Sequence, residues 1–230
     1  MSQITQGGRE LAQYVDHTLL RPDATTADFE KLCAEAVEYG FFSVCLPPSY
    51  VSLAAKLLKK TNVKVCTVIG FPLGYSLPAT KTFEAKTAID HGADELDMVI
   101  NVSALKSGDH SLVLDDIRSV VRAASGHTVK VILETCYLTD AEKITTCELA
   151  LKAGAHFVKT STGFGPSDAT EADVALMARV TEGKIGVKAS GGIRDLATAQ
   201  KMISLGATRL GTSNGINIIA AAPGNTTATY

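Results

Sequence analysis

The sequence predicts an α/β fold in which eight short parallel strands alternate with helices and close into a single (β/α)8 TIM barrel. Three observations support this prediction. Short apolar segments alternate with amphipathic segments along all 230 residues. Several helical segments end in a glycine a few residues before the next strand, and the joints are short. Such regular alternation favours a closed barrel over an open doubly wound sheet, which usually has fewer strands at this length.

The eight predicted strands are short segments rich in Val, Ile, Leu and Phe, as expected for strands that are buried on both faces. They are Tyr14–Thr18, Phe42–Leu46, Val63–Ile69, Glu95–Asn101, Val129–Glu134, Phe157–Thr160, Ile185–Ala189 and Arg209–Thr212.

Between the strands lie segments with apolar residues at helical spacing. Four of them end in a glycine, and we predict that Gly40, Gly92, Gly154 and Gly206 adopt the left-handed conformation that turns the chain from helix to strand. The predicted helices are Thr26–Tyr39, Tyr50–Lys60, Ala79–His91, Leu112–Ala124, Asp140–Ala153, Ala169–Thr181 and Leu196–Leu205.

The composition is that of an ordinary globular protein, with 46% hydrophobic and 20% charged residues. With 22 basic and 24 acidic residues the formal net charge is −2, and no basic stripe appears. Nucleic acid and anionic membranes are therefore not expected as partners. We expect one barrel domain over residues 1–222 and a flexible C-terminal tail over residues 223–230.

The five cysteines are odd in number and widely spaced. Without a C-x-x-C pair or a His/Cys cluster along the sequence, neither a zinc site nor a disulfide framework is indicated. We also find no apolar leader and no segment approaching about 18 apolar residues. We therefore expect a cytoplasmic protein that holds no metal and uses no cofactor.

Two lysines occupy the same kind of position. Lys159 lies in Phe157–Gly165 (FVKTSTGFG) and Lys188 in Ile185–Arg194 (IGVKASGGIR), each on a short strand that opens into a small-residue loop. A buried amine tends to lose its proton, and a second cation nearby strengthens that tendency, so the pair predicts a nucleophilic amine in one cavity. The alternative for each lysine is a strand-end side chain that reaches solvent or pairs with a structural carboxylate.

Barrel geometry adds two carboxylates. Active sites lie at the C-terminal ends of barrel strands, and side chains alternate along each strand. This alternation points Asp97 into the barrel, together with Asp16 and Thr18 from the first strand. Asp97 is either a counter-ion of a lysine or a proton relay, and both roles can coexist. For Asp16 the alternative to a role in the site is a purely structural one.

Three loops have the small residues that let backbone N–H groups approach an anion. They are Ser161–Gly165, Ser190–Arg194 and Gly211–Gly215, which follow the sixth, seventh and eighth strands. The loops after strands seven and eight are the usual phosphate site of such barrels. Plain turns remain the alternative, and we expect Arg194 to lie too far along its loop to touch a ligand.

The sequence leaves the roles of three further residues undecided. Cys45 either points toward the cavity or is a buried structural thiol. Glu134 is expected to make a pairing contact at a strand end. Tyr230 is either the end of the tail or a phenol that folds over the barrel mouth and carries protons.

With these residues in place, the sequence resembles the deoxyribose-phosphate aldolase family of class I aldolases. The resemblance covers nearly the whole chain, and its motifs are YVDHTLLRPDAT, VCTVIGFPLG, DELDMVIN, KVILETCYLTD, FVKTSTGFG, VKASGGIR and GTSNG. It implies reversible cleavage of 2-deoxy-D-ribose 5-phosphate to acetaldehyde and D-glyceraldehyde 3-phosphate, in deoxyribonucleoside catabolism. A homodimer is a candidate assembly, because barrel helices often form dimers.

The resemblance also implies residue roles. Lys159 would form the Schiff base, Lys188 would lower the pKa of Lys159, and Asp97 would relay protons through water. Tyr230 matches a C-terminal tyrosine that some members use in proton transfer. If Cys45 lines the pocket, unsaturated aldehydes formed from acetaldehyde would trap it. The residues expected to bind substrate are Asp16, Thr18, Cys45, Thr160, Gly163, Gly191, Gly192, Ser213 and Asn214.

Two departures from the family pattern affect the phosphate site. Phe164 stands where some members carry a lysine, and Asn214 where some carry a serine. We expect weaker phosphate affinity, or greater use of backbone groups to bind the phosphate. We also expect tolerance of unphosphorylated aldehydes. Two rival functions remain: a transaldolase-like enzyme with a larger ketose donor, and a phosphosugar-binding barrel without chemistry, in which Lys159→Met leaves ligand binding unchanged.

Overall fold

The computed structural model describes residues 6–221 and confirms the closed barrel. Eight parallel strands pair in sequence order, and the last pairs with the first. Tyr230, the predicted tail and the predicted domain boundary lie outside the described residues. The strands are β1 Val15–Thr18, β2 Ser43–Leu46, β3 Lys64–Ile69, β4 Glu95–Val99, β5 Thr128–Ile132, β6 Phe157–Lys159, β7 Gly186–Ser190 and β8 Arg209–Thr212.

The helices cover the outside of the barrel. Most begin and end close to the predicted residues, and α2 and α7 match them at both ends. They are α1 Gln6–Ala12, α2 Thr26–Tyr39, α3 Val51–Leu58, α4 Pro78–Asp90, α5 Val102–Lys106, α6 His110–Ala123, α7 Asp140–Ala153, α8 Glu171–Thr181, α9 Leu196–Ser204 and α10 Gly215–Ile219.

Local sequence explains where the helices start and stop. Before α2 the Thr25 side chain accepts a hydrogen bond from the Asp28 amide, while the Asp28 carboxylate accepts one from the Thr25 amide at 2.7 Å. The same capping box precedes α7. The left-handed glycines are confirmed, since all four predicted positions have positive φ: Gly40 (69°), Gly92 (103°), Gly154 (81°) and Gly206 (107°).

Two strands end two residues earlier than predicted, for reasons of local hydrogen bonding and backbone conformation. Strand β4 stops at Val99 because the Asn101 side chain caps α5, accepting from the Ala104 amide at 3.0 Å. Strand β5 stops at Ile132, and Glu134 beyond it has a left-handed φ of 55° that ends the extended chain. The short helices α1, α5 and α10 were not predicted, because five to seven residues are too few to establish helical spacing.

The apolar core lies between the barrel and its helices. Leu96 and Met98 of β4, and Ile100 just beyond its end, are fully buried in this core, on the face predicted to point outward. A smaller apolar cluster of Leu20, Cys45, Cys66 and Val68 is packed separately. The barrel interior therefore combines a small apolar wall with the charged groups described below. Among the described residues, no helix has both the length and the apolar character needed to cross a membrane.

Candidate active site

Asp97 lies at the centre of the barrel interior and is fully buried. Its Oδ2 atom accepts from the ammonium of Lys159 at 2.9 Å and from that of Lys188 at 2.7 Å. Its Oδ1 atom accepts from Lys130 at 2.8 Å. One carboxylate thus holds three lysine side chains, two of which are the lysines singled out in the sequence.

The two predicted lysines are direct neighbours. Lys159 and Lys188 are register partners on the adjacent strands β6 and β7, and both are almost completely buried. Asp16 on β1 contacts Lys188 as well. The structure therefore brings Asp16, Asp97, Lys159 and Lys188 into one cluster.

Three charged residues of this cluster were missed in the sequence. Lys130 lies 2.6 Å from Glu95, and the Arg209 guanidinium lies 2.8 Å from Glu95 and also bonds Asp16. The alternation of side chains along a strand could have identified two of them as pointing into the barrel. Glu95 precedes Asp97 by two residues, and Lys130 stands between the outward-facing valines of β5.

These contacts show that both lysines are paired with carboxylates inside the barrel. Four cations face three carboxylates inside the barrel, all within contact of at least one opposite charge. With every group ionised the cluster carries four positive and three negative charges, a net charge of +1. The members are Lys130, Lys159, Lys188, Arg209, Asp16, Glu95 and Asp97.

The pKa shifts follow from this packing. Burial alone would raise the pKa of Asp97, but Lys130, Lys159 and Lys188 together hold it well below its usual range. Burial alone would lower the pKa of Lys188, but Asp16 and Asp97 raise it above its ordinary value. Asp97 is therefore an anion and Lys188 a cation at neutral pH.

Hydroxyl groups surround this cluster. The Thr160 hydroxyl donates to the Ser190 carbonyl at 3.1 Å and accepts from the Ser190 amide at 3.1 Å, so it joins β6 to β7 instead of facing the cavity. The hydroxyls of Ser161 and Ser190 are buried and have no protein partner among residues 6–221. Both follow the inward lysines by two residues, so sequence alternation could have identified them.

Two predicted substrate residues lie along the wall of the barrel interior. Thr18 is buried, and its hydroxyl donates to the Asp16 carbonyl at 2.8 Å. Cys45 is buried beside Cys66, its register partner on β3. Glu134 pairs just beyond the end of β5: it accepts from the Thr162 amide at 3.1 Å and from the Thr162 hydroxyl.

The three small-residue loops meet in a depression of about 150 Å³ at the barrel mouth. Gly191 and Gly192 have φ values of 87° and 72°, and a Cβ at Gly191 would stand 2.4 Å from a carboxylate oxygen of Asp168. Contrary to expectation, Arg194 lines this depression. The other lining residues include Gly163, Gly192, Ser213 and Asn214.

Phe164 belongs to a second, more apolar depression of about 320 Å³ on the other side of the β6 loop. Its ring is 44% exposed and meets the Phe71 ring edge-on, with centroids 5.4 Å apart. Leu73 and Val99 also line this depression. The barrel mouth therefore has two recesses: the depression that Arg194 lines is the polar recess, and the depression that Phe164 lines is the apolar recess.

One family model and many known proteins are similar to this chain. The DeoC/LacD aldolase family matches residues 10–221. A deoxyribose-phosphate aldolase of Geobacillus sp. is 59% identical over 91% of this chain and 94% of its own. One from Carboxydothermus hydrogenoformans is also 59% identical, over the same shares. A tetrameric deoxyribose phosphate aldolase structure from Aeropyrum pernix has a TM-score of 0.88 and 36% identity, and covers 94% of this chain and 92% of its own.

Proposed function

Because the chain belongs to the DeoC/LacD family of aldolases, we propose that it is a class I aldolase, a lyase that reversibly cleaves 2-deoxy-D-ribose 5-phosphate to acetaldehyde and D-glyceraldehyde 3-phosphate. Relatives of that name match it over more than nine-tenths of its length. The observation that carries the mechanism is the buried Lys159 ammonium, 2.9 Å from a carboxylate shared with Lys188.

Charge balance supports Lys159 as the nucleophile. The cluster has one cation too many, so loss of one proton makes it neutral overall. Within the described residues Lys159 pairs with one carboxylate, whereas Lys188 pairs with two and Lys130 with three. Lys159 therefore loses the least electrostatic stabilisation when it becomes a neutral amine.

The neutral amine of Lys159 attacks the acetaldehyde carbonyl and forms a carbinolamine. Loss of water gives a protonated imine. In synthesis this imine loses an α-proton and becomes the nucleophilic enamine. In cleavage Lys159 forms the corresponding imine with the aldehyde carbon of open-chain 2-deoxy-D-ribose 5-phosphate, and that imine accepts the electrons of the broken carbon–carbon bond. Asp97, in contact with both lysines, moves protons among these species, while Lys188 remains charged. The hydroxyls of Ser161 and Ser190, which have no partner within the described residues and each lie two residues after one of the lysines, bind the carbinolamine oxygen in this proposal.

The acceptor aldehyde extends toward the mouth. The recess formed by Gly163, Gly192, Ser213 and Asn214 binds its phosphate, mainly through backbone N–H groups. Arg194, on the same wall, supplies a positive charge.

Borohydride reduction in the presence of acetaldehyde tests the mechanism. We expect a two-carbon adduct on Lys159, identified by peptide mass spectrometry, and none on Lys81, which is equally buried but paired with Asp116 away from the site. Lys159→Met should lose turnover by several orders of magnitude and keep its fold. An adduct on Lys188 alone would exchange the two roles, and a protein without any adduct would be a binding barrel.

Donor preference separates this function from a transaldolase-like one. We expect turnover with acetaldehyde as donor and none with dihydroxyacetone, because Lys159 is almost completely buried and its amine lies 2.9 Å from Asp97. Faster turnover with dihydroxyacetone would favour the transaldolase-like enzyme.

We further propose that the protein works in the cytoplasm as an assembly of at least two copies. All five cysteines are free, which suits a reducing compartment. Leu73, Tyr75 and Phe83 are each more than half exposed and line one groove of about 730 Å³, an apolar surface that a second copy would cover. Sedimentation of the wild type against Phe83→Ser tests this, and a wild-type monomer would contradict it.

A further inference from the structure

Two cysteines face each other inside the barrel next to the lysine cluster. Cys45 on β2 and Cys66 on β3 are register partners, and both are fully buried. The Cys66 sulfur lies 3.2 Å from Oδ1 of Asp97. The two sulfurs and one carboxylate oxygen of Asp97 all lie within 4.8 Å of one another.

From this geometry we propose that Cys45, Cys66 and Asp97 form a binding site for one soft divalent cation, such as Cd²⁺ or Zn²⁺, and that an ion bound there inhibits the enzyme. Tetrahedral zinc binds sulfur at about 2.3 Å and carboxylate oxygen at about 2.0–2.2 Å, which places neighbouring ligand atoms about 3.5–3.8 Å apart. Two thiolates select thiophilic ions over Mg²⁺ and Ca²⁺. A water molecule would complete the tetrahedron.

The site requires one lysine to move. The Lys130 ammonium lies 3.3 Å from the Cys66 sulfur and 2.8 Å from Oδ1 of Asp97, where the ion would bind. Lys130 keeps a second partner, Glu95, at 2.6 Å. The two thiols bind as thiolates and their protons leave to solvent, so the two charges of the ion are offset and the net charge of the cluster is unchanged.

Inhibition follows from the position of Asp97. Its Oδ1 atom faces Cys66, while its Oδ2 atom contacts Lys159 and Lys188. An ion on Oδ1 withdraws electron density from the carboxylate that exchanges protons with the two lysines. This consequence rests on the proposed aldolase function, whereas binding of the ion does not.

No sequence motif indicates such a site, because Cys45 and Cys66 are 21 residues apart and Cys66 and Asp97 are 31 residues apart. The register of β2, β3 and β4 brings these three possible metal ligands together.

Titration with CdCl2 tests the site directly. Equilibrium dialysis gives the number of ions per chain, and ultraviolet absorption reports cadmium–thiolate bonds. The variants are Cys45→Ser and Cys66→Ser, and Cys136→Ser is the control, since Cys136 is the one cysteine of the five that is not buried. We expect one tight ion in the wild type and the control, with its thiolate absorption.

Each ligand variant should bind Cd²⁺ at least about 100-fold more weakly, because even the loss of a residue that only hydrogen-bonds a metal ligand costs about 10–100-fold in affinity. Equal affinity in the wild type and both ligand variants would overturn the proposal. If a variant does not fold, thiol alkylation of the wild type replaces it. Cd²⁺ should then protect Cys45 and Cys66 but not Cys136, and unprotected Cys45 and Cys66 would also overturn it.

The outcome for inhibition is independent of the outcome for binding. We expect Cd²⁺ to suppress acetaldehyde adduct formation on Lys159 in the wild type and a chelator to restore it. Tight binding without suppression would keep the site and remove its inhibitory role. A wild type that binds Cd²⁺ but forms no adduct without it would instead reject the proposed aldolase chemistry.

Discussion

Asp97 determines the electrostatics of the site because it is the carboxylate that three buried lysines share. Desolvating these charges is expensive, and the cost is recovered only while every member has a partner. The cluster is therefore sensitive to the loss of a single charge.

Asp97→Asn should affect both activity and stability. We expect kcat to fall by about 10²–10⁴-fold, since proton transfer through the carboxylate is lost. The free energy of unfolding should fall by about 3–5 kcal/mol, because three ammonium groups lose a buried partner. Steady-state kinetics and urea unfolding measure the two effects.

Asp116→Asn is the matched control, because Asp116 forms a buried ion pair with Lys81 outside the barrel interior. It should destabilise the protein but leave kcat within a few-fold of the wild type. If both variants lost activity in proportion to stability, Asp97 would have no chemical role.

Acid should destabilise the protein through Asp16 and Asp97. The pKa values of both carboxyl groups lie below their ordinary range in the folded state, so the stability they provide is complete above about pH 4 and is lost as the pH falls below that. As the pH approaches about 2.5 the unfolded chain binds close to two protons that the folded chain does not. The slope of the free energy of unfolding from these two groups should therefore steepen to about 2.7 kcal/mol per pH unit at the acidic end of the range.

Urea unfolding of wild type and Asp97→Asn between about pH 4 and pH 2.5 measures this slope. The variant should lose about half of it. A wild-type stability that does not change over this range would show that the two carboxyl groups titrate normally.

The sequence identified Lys159 and Lys188 because each lies in a short apolar strand that opens into a small-residue loop. Lys130 lacks such a loop, and its importance depends on partners from other strands. Arg209 meets Glu95 across the barrel, at a separation of 114 residues. Strand alternation predicts which side chains point inward, but only barrel closure determines which of them meet.

At the level of elements, the loop after β6 separates the two recesses of the mouth. Gly163 and Gly165 line the polar recess, while Phe164 between them lines the apolar one. One side chain in this loop can therefore change the preference between phosphorylated and unphosphorylated acceptors.

Phe164→Lys should improve use of the phosphorylated acceptor. We expect KM for D-glyceraldehyde 3-phosphate to fall about fivefold, since a partly exposed charged contact contributes about 1 kcal/mol. KM for unphosphorylated D-glyceraldehyde should not change. Phe164→Met is the control, because it removes the ring contact with Phe71 without adding charge. An equal change for both aldehydes would show that the loop does not recognise phosphate.

The elements themselves were predictable to different degrees. The ends of helices α2 and α7 match the prediction to the residue. In the structure a capping threonine precedes each helix and a glycine closes it. The end of β5 was not, since a left-handed glutamate is uncommon and no residue type signals it. Local propensity predicts an element only where its ends are encoded locally.

On the scale of the whole molecule, Arg209 links strands that are far apart in the sequence. From β8 its guanidinium bonds Asp16 on β1, Glu95 on β4 and Ser43 on β2, and it lies 3.6 Å from the centre of the Phe42 ring. One side chain thus connects both sides of the barrel closure.

Arg209→Met should therefore weaken the whole fold. We expect a loss of about 3–5 kcal/mol in the free energy of unfolding, because Asp16 and Glu95 lose a shared buried cation. That is a large part of the about 5–15 kcal/mol typical of a folded domain. Arg21→Met is the matched control, since Arg21 also pairs with two carboxylates, Asp23 and Asp28, but at the surface. It should change stability little, because water screens such pairs. Urea unfolding compares the two, and equal losses would mean that the buried charges do not hold the barrel closed.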